Sequence, residues 1–376
     1  MTLRVGISAL LLLLAAPVAA QTTDPAEDAR AAASQLSRAG IALQEAKTAA
    51  NRVKALSETL RAYEAGLQAM REGLRRAAIQ EQRLSRELQS REAEIAQLLG
   101  VLLSMDSAPS PVLLLHPSGP VGTARSGMIM ADITPALTAQ AEALRARVED
   151  LAVLRALQQN AIGTLQEGLD GAQTARTALS QAIADRTDLP RRFTEDPVRT
   201  ALLVASTETL EGFASGLAGI AVDEVPGSLP DIADRKGALP LPVEGRILRR
   251  ANEPDAAGIA RPGIVMVTRP YALVTTPTAA TIRYVGPLLD YGNIAILEPQ
   301  SGLLMVLAGL DRVYGAPGEV LPGGSPVGLM GGEETEPDAI LYRQGQEPGA
   351  EQTETLYIEI RQDNIPVDPE AWFRTD

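Results

Sequence analysis

The stretch TLYIEIRQDNIPVDPEAWF, residues 355–373, decides the reading of the chain. It reads as a strand, Leu356 to Arg361, followed by an exit turn at Pro366-Val367-Asp368-Pro369 and by Trp372. Upstream of it lie further short runs rich in β-branched and aliphatic residues, each bounded by Gly or Pro. They are PLPVEGRILRR (240–250), RPGIVMVTRP (261–270), PTAATIRYVGP (277–287), YGNIAILEP (291–299), LLMVLAGLDRV (303–313) and SPVGLMGG (325–332). Together they predict a compact β domain from Leu239 to Asp376.

The order and spacing of these segments resemble the LytM, or lysostaphin-like, domain of zinc endopeptidases that cut peptidoglycan cross-links. The resemblance is carried by the closing stretch, by Tyr291-Gly292-Asn293, and by the glycine-punctuated run from Gly318-Glu319-Val320 to Gly328. It implies a duplicated hybrid motif type of β fold. It also marks where this chain departs from the family. Arg261 and Val265 stand where the family has a His and an Asp as zinc ligands. Gly309 stands where it has a strand-end His, and Thr355 and Tyr357 where it has His-x-His. A catalytic zinc needs about three protein donors and one open position. Val and Gly offer no donor, and an arginine cation repels a metal. The chain has one His, at position 116, and no Cys. A His-based or thiolate zinc site is therefore excluded, and no cofactor is expected. The resemblance narrows to EnvC-like murein hydrolase activators, in which a degenerate groove docks a peptidoglycan amidase. In this reading Arg261, Val265, Gly309, Thr355 and Tyr357 line the docking groove.

Toward the other end of the chain, Met1 to Ala20 reads as a secretory signal peptide. Arg4 supplies the positive start, Val5 to Leu14 is apolar, and Val18-Ala19-Ala20 precedes a cut before Gln21. The run is too short for a bilayer core of about 30 Å. The expectation is export to the periplasm, as a soluble or peripheral protein. The net charge of −13 and isoelectric point near 4.8 argue against nucleic acid and anionic membrane faces as partners. They favour a protein partner over adhesion to polyanionic wall polymers.

Residues 21–190 are expected to form an antiparallel coiled-coil hairpin. Apolar residues from Ala39 through Val53, Leu60, Leu67 and Leu74 to Ala77 alternate spacings of three and four, and the pattern resumes at Leu84. The seam predicts one helix from about Thr23 to Met105, on the order of 120 Å long. Its N-terminal part would need a third segment or another chain to cover it. A second helix is expected from Ile133 to Arg186, with Pro135 in its first turn. The tip between them, 107–130, is apolar at Leu113, Leu114 and Leu115 next to His116. The resemblance implies contact there with an FtsX-type membrane protein. His116 is otherwise a plain tip residue.

Residues 191–238 are expected to hold an amphipathic regulatory helix and a linker. Asp196-Pro197 supplies an N-cap and a first-turn proline. Leu203, Leu210, Phe213, Leu217 and Ile220 then share one face of a helix running to about Ala221. Residues 333–352, rich in Glu, Gly and Pro, are expected to be a loop near the old active site.

The fold class expected is thus α+β multidomain: a long antiparallel coiled coil followed by a mainly β LytM-like domain. The function implied by the resemblance is non-catalytic activation of a peptidoglycan amidase in cell-wall remodelling and daughter-cell separation. Two other readings stay open: a structural module that binds peptidoglycan, and an active zinc metalloendopeptidase.

Overall fold

The computed structural model describes residues 25–91, 93, 95–97, 100, 119–187, 189–217, 221–222, 232–333 and 353–374. It is an α+β architecture: long helices followed by an antiparallel β domain. The helical part consists of α1 (Pro25–Glu45), α2 (Ala49–Ser90) and α3 (Gly119–Ala184). The signal segment, Leu98 and Leu102 of the first seam, the tip residues Leu113 to His116, Ile220 and most of the 333–352 loop lie outside the described residues.

The single helix expected from Thr23 to Met105 is broken at 46–48. Thr48 caps α2, its hydroxyl accepting the Asn51 N–H at 3.2 Å. Such a cap satisfies one of the orphan donors of a helix start, so two short helices lose little against one long one. The break lets α1 double back along α2, with Ala32 against Gly66. Ala32 and the seam residue Ala39 are buried there. α1 itself therefore covers α2, and the expected 120 Å rod is shortened. α2, 42 residues long, spans roughly 63 Å.

α2 and α3 run antiparallel. Gly168 faces Leu67, Gly171 faces Tyr63, and farther out Arg155 pairs with Glu81 at 2.9 Å and Arg147 with Glu87 at 2.6 Å. α3 begins at Gly119, not Ile133. Pro120 is tolerated at the start of a helix because no N–H is required there. Pro135 consequently sits inside α3 rather than in its first turn.

The β domain has an eight-stranded antiparallel sheet. Its strands are β3 (Gly245–Arg249), β4 (Ile264–Thr268), β6 (Ala280–Pro287), β7 (Asn293–Gln300), β8 (Leu303–Leu310), β10 (Val320–Leu321), β12 (Glu354–Gln362) and β13 (Ile365–Val367). Their order is β10-β6-β7-β8-β12-β4-β3, with β13 also on β12. A second sheet, β5 (Leu273–Thr275), β11 (Pro326–Leu329) and β9 (Arg312–Val313), packs on one face. Between them lies the core, which includes Ile264, Met266, Leu307, Leu356, Ile358, Ile360 and Trp372.

The small sheet is also the seat of the helices. Leu273, Tyr314 and Leu329 join Leu56, Leu60, Leu165 and Leu179 in one buried cluster. Directional contacts fix the seat. The Arg269 guanidinium donates to the Glu64 carbonyl at 2.7 Å, and the Leu273 N–H donates to the Glu64 carboxylate at 3.2 Å. The Arg176 guanidinium stands 5.2 Å over the Tyr271 ring, and the Ser180 and Tyr314 hydroxyls share a hydrogen bond at 2.8 Å.

Glu64 is fully buried in this joint. Burial raises its carboxyl from the ordinary 4.5 to about 7; Arg269 and Arg176 oppose the rise, and Glu244 adds to it. The docked joint therefore holds a proton that the unfolded chain releases at lower pH. A carboxyl raised in the folded state contributes stability below its unfolded pKa and loses it as pH climbs through the folded value. Wild-type stability is expected to fall relative to Glu64→Gln between about pH 5 and 8, by on the order of a few kcal/mol. Urea titrations of both proteins across that range check it; parallel pH profiles would contradict the assignment.

Candidate functional site

β12 is the central strand at the site. Side chains alternate across a strand, so Leu356, Ile358 and Ile360 enter the core while Tyr357, Glu359 and Arg361 line the opposite face. The register places Tyr357 opposite Val265 on β4 and opposite Ala308 on β8. The five positions singled out by the resemblance meet here. Gly309 abuts Thr355: a Cβ on Gly309 would lie 2.6 Å from the Thr355 carbonyl oxygen, and its φ of +94° is one that side-chain-bearing residues avoid. No histidine fits this backbone there. Arg261 stands 5.5 Å over the Tyr291 ring, and that ring tilts against Tyr357 at 5.8 Å.

A hydrogen-bond network links the polar side chains on this face. The Tyr357 hydroxyl accepts the Gly263 N–H at 3.1 Å and donates to Glu359 at 2.5 Å. Glu359 takes a second, charge-assisted bond from Arg361, and Arg361 donates to the Asn364 carbonyl at 2.7 Å. Burial, then the neighbouring Glu359 carboxylate, push the Tyr357 phenol far above its usual range, so it stays a neutral donor. The residues present do not fit a zinc ion: Val265 and Gly309 lack donors, Arg261 is a cation, and the Tyr357 oxygen is committed. Among the described residues no group of three His, Cys, Asp or Glu is placed to hold a metal.

A segment from the same chain covers this face. The single helix expected from Pro197 to about Ala221 is two helices, α4 (Pro197–Ser206) and α5 (Leu210–Gly216). The divide at 207–209 is set by hydroxyls. Thr207 bonds back to the Leu203 carbonyl at 2.6 Å, and Thr209 caps α5 by accepting the Gly212 N–H at 3.1 Å. β-branched residues that satisfy backbone groups locally end helices. α5 and its C-cap Leu217 lay Leu210, Phe213 and Leu217 into one buried cluster with Tyr284, Ile294, Ile296, Val306, Ala308 and Tyr357, with Leu203 and Val265 packed at its margin. Phe213 is fully buried, edge-on to Tyr284 at 4.8 Å. Ser215 of α5 accepts a hydrogen bond from the Asn364 side chain. Below the segment, β1 (Thr194–Glu195) pairs with β2 (Ala221–Val222), so the arm between them is closed at its foot.

The structure thus brings Arg261, Val265, Gly309, Thr355 and Tyr357 to one face and sets Leu203, Leu210, Phe213 and Leu217 against it. It adds Tyr284, Tyr291, Glu359, Arg361 and Asn364, none of which the sequence reading named as a site residue. The signal for Glu359 and Arg361 was present in the period of two that they share with Tyr357.

No family model matches the chain, and no curated protein matches it. Solved structures to which it is similar include Csd3 of Helicobacter pylori, at 16% identity over 37% of this chain and 35% of that one, with a TM-score of 0.28. A zinc-containing peptidase from Vibrio cholerae has 20% identity over 36% of this chain and 40% of that one, with a TM-score of 0.28. Lysostaphin has 13% identity over 37% and 58%, with a TM-score of 0.27. The chain covers 40% or less of the length of the first two.

Tyr357→Phe keeps the ring but removes the hydroxyl that serves both the Gly263 N–H and Glu359. Leaving buried polar groups unpartnered costs about 1–3 kcal/mol. A lowered urea midpoint of that size is expected; an unchanged midpoint would mean that water replaces the hydroxyl.

Proposed function

We propose that this protein is a non-catalytic activator of a peptidoglycan amidase, with the face built on Tyr357 and Val265 as the amidase docking groove. One observation carries the reading: an amphipathic helix of the same chain, α5, sits with its apolar face against those two residues. A surface that already holds Leu210, Phe213 and Leu217 has the shape and polarity for an external helix presenting similar anchors. The donor-poor residues at the old ligand positions remove metal chemistry and leave packing as what the groove does.

In this reading the protein is exported to the periplasm, the far tip of the helical hairpin engages an FtsX-type membrane protein, and the arm is a restraint. A tethered helix competes at high effective concentration with an external one. An event at the tip need favour the released state by only a few kcal/mol to expose the groove. Each of the three buried anchors contributes about 1.5–3 kcal/mol to keeping the arm in place.

Phe213→Asp combined with Leu217→Asp is expected to raise amidase binding and activation without any membrane partner, measured with purified proteins. In that released background, Tyr357→Glu and Arg261→Glu are expected to abolish activation; normal activation by both would place the amidase elsewhere. The purified protein is also expected to carry no stoichiometric zinc and to leave peptidoglycan intact when alone. Equimolar zinc with cross-link cleavage would restore the peptidase reading. Retention on peptidoglycan with no effect on amidase would favour the structural wall-binding module.

A further inference from the structure

We propose that a buried clamp formed by Arg192, Glu298 and Arg283 is the joint through which the helical rod controls the arm. The inference rests on the arm being a removable cover, and it assigns the element that decides whether it moves.

Between α3 and α4 the chain does not hang free. The Pro190 carbonyl accepts the Val320 N–H at 2.9 Å, and the Arg192 N–H donates to the Gly318 carbonyl at 2.8 Å. The approach is close: a Cβ on Gly318 would lie 2.1 Å from the Phe193 carbonyl oxygen. The Arg192 and Arg283 guanidiniums both meet the same Glu298 oxygen at 2.7 Å, and Arg283 lies 4.9 Å over the Phe193 ring. Arg192, Phe193, Arg283 and Glu298 are all buried. The next two residues, Thr194 and Glu195, form β1, which with β2 closes the foot of the arm.

A pull or twist arriving along α3 therefore reaches the clamp before it reaches the arm. While the clamp is shut, residues 190–193 belong mechanically to the β domain, and the rod can move without disturbing α5. Buried ion clusters are a poor means of simple stabilisation, because apolar side chains of like volume often do as well. Their distinctive property is discreteness. Withdrawing Arg192 frees residues 190–193 from Glu298 while Arg283 stays on it, so the joint is either closed or open.

Hydrogen exchange on the intact protein tests this without any partner. Arg192→Met retains an apolar stem and leaves Arg283 paired with Glu298. It is expected to raise exchange of the arm amides at 198–217 by about tenfold, as a coupling of ordinary size does, while the core amides at 305–307 and 358–360 keep their wild-type rates. Coupling is reciprocal, so Phe213→Ala, which loosens the arm at its other end, is expected to speed exchange of the Arg192 amide. Arm amides unchanged in Arg192→Met would overturn the proposal. So would an equal rise throughout the core, which marks general destabilisation, or an Arg192 amide unmoved by Phe213→Ala. Coupling without amidase binding would overturn only the activator reading; amidase binding without coupling would overturn only the joint.

Discussion

Everything at the candidate site depends on β12 being flanked on both sides and covered on both faces. Its edges pair with β8 on one side and with β4, then β13, on the other, so its backbone has no freedom to shift register. A slip of one residue would turn Tyr357, Glu359 and Arg361 into the core and put Leu356, Ile358 and Ile360 on the groove. The aliphatic triplet is what prevents this. The hydrophobic demand of the domain core fixes the strand, and the polar triplet on the other face is positioned as a consequence. A face held in this way can carry different side chains, here a phenol and an ion pair, without changing its scaffold.

This explains which parts were legible in the sequence. The β domain showed itself because short β-branched runs punctuated by Gly and Pro carry their own boundaries. The positions Val265, Gly309 and Tyr357 were reached only through the family resemblance that those runs carry, not from the residues themselves. The helix break at 46–48 was not legible, because the apolar seam continues in phase across it, whether the chain runs straight or doubles back. One hydroxyl at Thr48 decides between the two outcomes, and no periodicity reports it. α5 was legible as an apolar face, but a face does not name the surface it will cover. Likewise, Arg192 and Glu298 are 106 residues apart and nothing in either local sequence marks the pair.

The described residues contain three apolar clusters, and each has a different job. One fills the β domain, one binds the helices to the small sheet, and one seats the arm on the groove. Apolar burial is strong but non-directional. By itself it would let a helix rotate or slide on a flat sheet. Orientation must come from contacts with fixed geometry, and these lie where the clusters adjoin.

Arginine supplies most of them. In a chain whose net charge is −13, Arg176, Arg192, Arg269, Arg283 and Arg361 are nonetheless buried. Arg176 and Arg269 stand where the rod meets the small sheet, Arg192 and Arg283 where the arm leaves the rod, and Arg361 beneath the arm. The guanidinium keeps its charge at any physiological pH, and its planar fork bonds a carboxylate or carbonyl while its face stacks on a ring. Lysine at these places would lose the fork and tend to shed its proton on burial. The joints of this molecule are therefore polar and directional, while the bodies they connect are apolar. The joint at Glu64 includes a carboxyl brought near neutrality, which makes the seat of the rod responsive to pH. The clamp at Glu298, held by two permanent cations, answers to displacement instead.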